Sequence, residues 1–478
     1  MRLSVSVWAG RLLSPRLYAR AEPFLQRIDR TLTGADERAR TQQMAIKTFA
    51  IRVMGAVLAY ASQVLLARWL GSFDYGIFVV VWTWMLILTA LTALGFQTSV
   101  IRFIPEYEAR GEWDLLRGLL ISSRALSLAF ATGLAAIGCL GVYLFEDFVT
   151  HYYVMPIYLI AICLPLFTLF EVQDGIARSQ NWTDLSVTAN YICRPALLLL
   201  ALVGAGFAGL ELNAETACYA AILTTYSISI CQFLILRRRL KRVVPAGPNR
   251  FQTAHWVKVS LPIFMVEGFF ALLTGSDVVI VSQFLPPESV AVYYAAAKTL
   301  AIIHFVYFAV KAASGHRFSK LYYSGDQTGF ETAVRDAVHW TFWPSLAAAA
   351  FLLVIGNQLL CLFGEGFEAG YPLMFILVVG ILARASAGPV DVLLNMSGHQ
   401  KICAAVYGAT FIANIGLNFL LIPQFGLAGA AAATSIAMIF ETFALIAVVK
   451  RKLGVFLPGA FVQSAIGPSP VKPEESGS

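Results

Sequence analysis

Three cations sit inside long apolar stretches that leave no water to receive them: Arg52, Lys298 and Arg384. A charge near the centre of a bilayer costs about 2.5–3.5 kcal/mol or more, so each is a candidate for function by default. At helical spacing Arg52 shares a face with Gly55, Ala56, Ala59 and Gln63, and Arg384 with Gly380, Gly388, Asp391 and Asn395. Lys298 lies one or two turns from Tyr294, Ala291 and Ala295. Faces built of small residues turn toward protein or water, not lipid. The three therefore outline a central cavity that attracts anions, in which arginine offers a two-pronged grip on phosphate. Competing roles exist for each. Arg52 is near enough to one end of its stretch to snorkel, as is Arg124. Arg384 has Asp391 as a structural partner, and Lys298 has the Tyr294 ring or Asp277. Arg194 precedes Pro195 at a kink, and Lys258 and Lys311 read as interfacial.

Acids inside the apolar stretches are the second set. Glu267, Thr274 and Asp277 share one helical arc, Asp391 follows Arg384, Glu171 and Asp174 close another stretch, and Glu441 lies within the last. A buried carboxylate can carry an ion through a transport cycle, which makes Glu267, Asp277 and Asp391 candidates for coupling. For Asp277, helix capping or pairing with Lys298 competes. Other chemistries lack residues. The histidines form no HExxH, so no metal site is expected. The seven cysteines are odd in number and share no CxxC spacing, so no disulfide framework is expected. No GxxxxGK[ST] is present. Gly204–Gly209 fits GxGxxG, but it follows a long Leu/Ala run beginning at Arg194-Pro195 and no βαβ unit surrounds it. No cofactor and no nucleic acid are expected.

The elements that must position these residues are twelve apolar runs. They fall at about 44–67, 77–98, 117–142, 153–174, 185–207 and 214–236, then 258–283, 289–312, 337–358, 371–393, 402–422 and 427–449. Each has the roughly 20 residues a helix needs to cross a hydrocarbon core of about 30 Å, and period-2 alternation is absent. The chain is 58% hydrophobic and 13% charged, with mean hydropathy +0.71, against about 25% charged in soluble domains. Twenty-six of the 35 Lys and Arg residues fall in alternate gaps and the two tails, counting Arg117 at the edge of its run. The opposite gaps hold Arg68 alone. Lys and Arg mark the cytoplasmic side, which predicts an all-α multi-pass membrane protein with both termini cytoplasmic.

Residues 1–43 read as a basic tail, not a signal peptide. Ser14-Pro15 starts a helix, Leu17, Ala21, Phe24, Ile28 and Leu32 form its apolar stripe, and Gly34 stops it, which suits anionic bilayer lipid. The linker 237–257 separates a six-helix lobe at 44–236 from another at 258–449, and 450–478 reads as a disordered tail. Six is even, so a repeat between lobes is parallel, with an axis along the membrane normal. The hinges Trp69–Phe78 and Phe284–Tyr293 both begin aromatic-Leu and end aliphatic-aromatic.

Arg68-Trp69-Leu70-Gly71 followed by Asp74-Tyr75-Gly76-Ile77-Phe78, with Gly95-Phe96 further on, resembles the signature of polysaccharide-biosynthesis membrane proteins. In the second half Asp277, Tyr293 and Lys298, then Asn414–Asn418 leading into Ile422-Pro423-Gln424-Phe425-Gly426-Leu427-Ala428-Gly429, fit as well. These motifs are mainly structural: Gly71 and Gly76 permit tight backbone, Asp74 accepts donors at the next helix start, and Pro423 and Gly426 turn one span into the next. The resemblance, over about 44–450, implies a flippase for a polyprenyl-pyrophosphate-linked oligosaccharide in a bacterial inner membrane, within the superfamily that includes multidrug extruders and peptidoglycan-precursor flippases. It implies partners among the polysaccharide polymerase and glycosyltransferases of one pathway. The alternatives are a drug–cation antiporter of the same fold and, from another class, a membrane glycosyltransferase or ligase.

Overall fold

A computed structural model describes residues 37–148, 150–324 and 326–454. The expected amphipathic segment before residue 37, the tail beyond 454 and the Arg52 side chain lie outside the described residues. Among the described residues all regular structure is helical. The first half comprises α1 (Glu37–Thr92), α2 (Phe96–Arg110), α3 (Trp113–Leu144), α4 (His151–Ser179), α5 (Thr183–Thr188), α6 (Arg194–Phe207) and α7 (Ala214–Val243). The second comprises α8 (Thr253–Phe284), α9 (Pro287–Leu300), α10 (His304–Ser324), α11 (Gln327–Cys361), α12 (Tyr371–Ala387), α13 (Val390–Met396) and α14 (Gln400–Leu453).

Ten helical stretches among the described residues are long and apolar enough to cross a membrane. Two of them, Met54–Arg110 and Gln400–Leu453, run to 57 and 54 residues. At 1.5 Å per residue each is far longer than a core of about 30 Å requires. Besides a turn at Leu94 and Gly95 (φ 53° and 74°) in the first, each is broken by a glycine with positive φ, Gly71 (φ 78°) and Gly426 (φ 58°). No atom lies within 4 Å of where a Cβ would stand at either position. Backbone conformation, not crowding, therefore selects glycine there.

The hinge of the second half solves the same problem differently. Leu285 and Pro286 adopt extended backbone, with no residue at positive φ. Helix ends also differ from the hydropathy boundaries. The run expected at 337–358 begins at Gln327, with Asp326 capping through the Gly329 N–H at 2.9 Å, and the run expected at 289–312 continues to Ser324. Capping and backbone bonding continue where apolar composition has stopped. Asp74 does cap a helix start, but not the next one. Its Oδ1 accepts from the Ala214 N–H of α7 at 2.9 Å, 140 residues away.

Buried side chains join the two halves. Tyr75 and Phe78 of α1 share a core with Val290 and Tyr293 of α9 and with Phe363. Gly76 packs so closely on the Pro287 backbone that a Cβ would overlap the carbonyl. From there toward the linker end, the part of α1 after Gly71 and then α2 lie along α8. A Cβ at Gly275 would meet Thr83 and Ile87, one at Gly268 would meet Leu91, and one at Gly95 would meet the Ser260 carbonyl. Polar bonds complete this seam: Ser260 Oγ to Ser99 Oγ at 2.7 Å and Trp256 Nε1 to Tyr107 Oη at 2.8 Å. Glu267 accepts from Gln97 Nε2 and, at 2.5 Å, from Thr98 Oγ1. The outward surface is apolar. Phe207 is 90% exposed and Val354 75%, as suits helices whose solvent is lipid.

Gly71→Ala and Gly426→Ala should each destabilise the purified protein by about 1 kcal/mol or more. Gly133→Ala, at a helical position with open space around it, should be neutral or mildly stabilising. Thermal unfolding in detergent measures both, and equal melting temperatures for all three variants would contradict this account of the hinges.

Candidate functional site

A cavity of about 540 Å³ lies between the halves. Its first-half wall is Thr83, Leu86 and Ile87 of α1 with Tyr191, all uncharged. The second half supplies an acid, two cations and a histidine: Asp277 of α8, Lys298 of α9, Arg384 of α12 and His304 of α10. Two of the three expected cations thus face one space. The Arg52 side chain is outside the described residues, so it is not placed.

Arg384 is not neutralised by Asp391. Its partner is Glu441 of α14, with Nη2 to Oε2 at 2.5 Å and Nε to Oε1 at 3.2 Å. The pair is deeply enclosed, 11% and 2% exposed. The reason lies in the backbone: α12 stops at Ala387, Gly388 takes φ 69°, and Pro389 starts α13 on a new axis. The seven-residue spacing that would stack Asp391 under Arg384 on one helix is therefore broken. Asp391 turns to α10 instead, where Lys311 Nζ donates to Oδ2 and Tyr307 Oη to Oδ1, both at 2.6 Å. Lys311 is thus an ion-pair partner within the second half. Of the five N–H donors on a guanidinium, Glu441 takes the Nε–Nη2 edge. The Nη1 side remains available on a side chain held in fixed orientation.

Lys298 takes the aromatic alternative, with Nζ 5.0 Å from the centroid of Tyr294. Asp277 is engaged elsewhere and neither caps a helix end nor pairs with Lys298. Its Oδ2 accepts from Thr434 Oγ1 at 2.6 Å and from Tyr293 Oη at 3.4 Å, and its Oδ1 from Asn418 Nδ2 at 3.2 Å. Asn418 also bonds Asn414 Oδ1 at 3.0 Å, which leaves Asn418 Oδ1 and Asn414 Nδ2 buried without partners. Asn414, Asn418, Thr434, Tyr307 and His304 were not singled out by the charge search, because none carries a fixed charge. The i, i+4 asparagines within an apolar run were the available signal.

The remaining first-half cations are packed away from the cavity. The Arg194 guanidinium lies 4.0 Å from the Phe167 centroid and 4.5 Å from Phe170. It follows a π-helical turn, Ala189–Cys193, just before Pro195 removes a backbone donor. Arg124 does not reach a headgroup layer with its full fork: Nε and Nη2 are buried without partners, 5.5 Å from Phe233 measured at Cζ. At the end of the molecule opposite the linker, Arg68 reaches across the halves. Its Nε donates to the Leu362 carbonyl at 2.5 Å and its Nη2 to that of Cys361 at 3.4 Å, at the carboxyl end of α11 where a cation is favoured. Beside it the Tyr75 ring lies 6.3 Å from Tyr294 and 6.2 Å from Phe367.

Residues 43–319 match the polysaccharide biosynthesis protein family. The chain belongs to that family. Residues 262–420 also match the MatE family. Among relatives of this family member, a Shigella flexneri protein provisionally named O-antigen transporter is 24% identical over 410 residues, 81% of this chain and 93% of the relative. A Haloferax volcanii protein provisionally named low-salt glycan biosynthesis flippase Agl15 is 22% identical over 404 residues, 83% and 81% of the two chains. The fold is shared with an inward-facing multidrug resistance MATE family transporter of the MOP superfamily, at TM-score 0.70 and 16% identity, covering 86% of this chain and 98% of that one. It is shared also with the lipid II flippase MurJ in an inward closed conformation, at TM-score 0.66 and 16% identity, covering 85% and 87%.

Glu441→Ala should strand a buried guanidinium and cost about 3–5 kcal/mol. Adding Arg384→Met should recover much of that loss, since the pair then disappears together. Melting temperatures of the single and double variants test the pairing, and a double variant no more stable than the single one would refute it.

Proposed function

We propose that this polysaccharide biosynthesis protein is a flippase. Its cargo is a polyprenyl-pyrophosphate-linked oligosaccharide, moved from the cytoplasmic to the periplasmic leaflet of a bacterial inner membrane for O-antigen, capsule or exopolysaccharide assembly. It is not an enzyme. The observation that carries this reading is the convergence of Lys298 and Arg384 on one cavity between the halves, with Glu441 holding Arg384 in place. A pyrophosphate offers several acceptor oxygens to such donors. Arg52 would add a third cation from the first half. The drug–cation antiporter alternative calls for an acidic cavity, whereas among the described residues the one lining acid, Asp277, is turned into Thr434 and Asn418.

Alternating access in this reading uses twelve crossings with both termini cytoplasmic, and the linker end faces the cytoplasm. The Arg68 clasp and the Tyr75 ring contacts then close the periplasmic end, and they must part for release. Of the three carboxylates considered for coupling, Asp391 is held by Lys311 and Tyr307, and Glu267 by Gln97 and Thr98 across the seam. That leaves Asp277, a cavity-lining carboxylate whose neighbours are the hydroxyls of Thr434 and Tyr293 and the Asn418 amide, as the group to take up a proton or sodium ion. The polymerase and glycosyltransferases of the same pathway supply and consume the cargo.

Lys298→Ala and Arg384→Ala should each reduce delivery of lipid-linked glycan to the periplasmic leaflet about tenfold or more, assayed by periplasmic accessibility of the glycan in cells lacking the native protein. Wild-type delivery by both variants would sink the proposal. In proteoliposomes Asp277→Asn should abolish the dependence of transport on an imposed proton or sodium gradient. A variant that retains gradient dependence would remove Asp277 from coupling.

A further inference from the structure

His304 is a polar ring in an otherwise apolar stretch of wall, between Ala301 and Phe305 with Phe308 a turn beyond. Its Nδ1 is buried and has no hydrogen-bond partner. The neighbouring polar group is the Ala301 carbonyl of the preceding turn. An unpaired buried nitrogen carries a penalty of about 1–3 kcal/mol that a leucine at this position would not incur, so the fold alone gives no reason for histidine.

Local backbone explains how His304 comes to share a cavity with Lys298. On an uninterrupted α-helix, residues six apart point roughly 120° away from each other at 100° per residue. The chain between them passes through a 3-10 turn, Ala301–Ile303. Three steps at the 120° of a 3-10 helix bring the two directions within roughly 60°. Lys298 and Arg384 are both within electrostatic range of the ring, so an anion held by either cation arrives beside an imidazole that has unused hydrogen-bonding capacity.

We propose that His304 is a specificity-determining contact that hydrogen-bonds the phosphate-bearing end of the cargo together with Lys298 and Arg384. This rests on the cationic-cavity reading above and extends it. The ring's Nε2, opposite the buried Nδ1, is the atom that meets the phosphate oxygens. Lysine supplies a mobile point charge and arginine a fixed fork. Histidine adds a short directional donor between them, which favours a diphosphate, whose second phosphoryl group provides the extra acceptors, over a monophosphate.

The test uses the full chain in nanodiscs with farnesyl diphosphate and farnesyl monophosphate as probes, comparing wild type with Lys298→Ala, Arg384→Ala, His304→Phe and His304→Gln. His304→Phe should weaken diphosphate binding about tenfold and lose the preference over monophosphate, with its melting temperature unchanged or raised. His304→Gln, which keeps an amide near the Nε2 position, should stay within a few-fold of wild type. Unaltered diphosphate preference in His304→Phe overturns the proposal. So does equal weakening in the Phe and Gln variants accompanied by a lower melting temperature, since that is the mark of a structural role. If Lys298→Ala and Arg384→Ala weaken diphosphate binding while His304→Phe does not, this inference alone fails. If wild type binds neither probe, the cationic-cavity reading fails and takes this inference with it.

Discussion

Hydrocarbon cannot solvate charge, and that single constraint arranges most of this molecule. Lys and Arg residues collect in alternate connections, and several of the ionisable groups of the second half left at depth are answered by neighbours in that half. Arg384 has Glu441, Lys311 has Asp391 and Tyr307, Lys298 has the Tyr294 face, and Asp277 has Thr434, Asn418 and Tyr293. Each answer comes from a different helix from the one that poses the demand, or from the next turn of the same one. Packing of α8, α10, α12, α13 and α14 is thereby tied to electrostatics, because a shift of one helix would strand a charge at several kcal/mol. Arg194 shows the weaker form of the same rule, with two phenyl faces where a carboxylate could have stood.

The interface between halves is made of two unlike materials. Along α1, α2 and α8, glycines let backbones approach, and the Ser260–Ser99, Trp256–Tyr107 and Glu267 hydrogen bonds fix the side chains between them. At the far end, the contacts are a single arginine on helix-end carbonyls and a group of aromatic rings. The first kind suits a surface that stays together over a long length. The second is compact and reversible, since an arginine near water exchanges carbonyls for solvent at small net cost.

Much of the architecture was legible in the chain because its causes are local. Apolar length and the sided cations are properties of short segments, and Gly71 and Gly426 stand at the hinge positions expected of them. The Asp74-Tyr75-Gly76 motif was readable as structural, yet its partners were not. Asp74 caps α7 and Gly76 meets Pro287, contacts that only the folded arrangement brings together. The site followed the same division. Lys298 and Arg384 were recognisable as charges out of place, whereas Glu441 was not legible as the partner of Arg384, and the Asp391 alternative extended helical spacing across the Gly388–Pro389 break. His304, Asn414 and Asn418 bear no fixed charge, so a search for costly ions passed over them, although their buried unpaired atoms mark them once the fold is known.

The cavity walls are chemically lopsided. Among the described residues, the acid, the lysine, the arginine and the histidine on them all come from the second half, while the first half offers Thr83, Leu86, Ile87 and Tyr191. A duplicated architecture need not keep its copies equivalent. In the proposed reading the second half is the handle that grips the phosphate-bearing end of the cargo. The other is a plain surface whose residues can change without disturbing an ion pair or exposing a buried charge. If the proposed reading holds, diversification toward new glycans costs little when confined to α1 and the turn before α6, and much more when it touches α12 or α14.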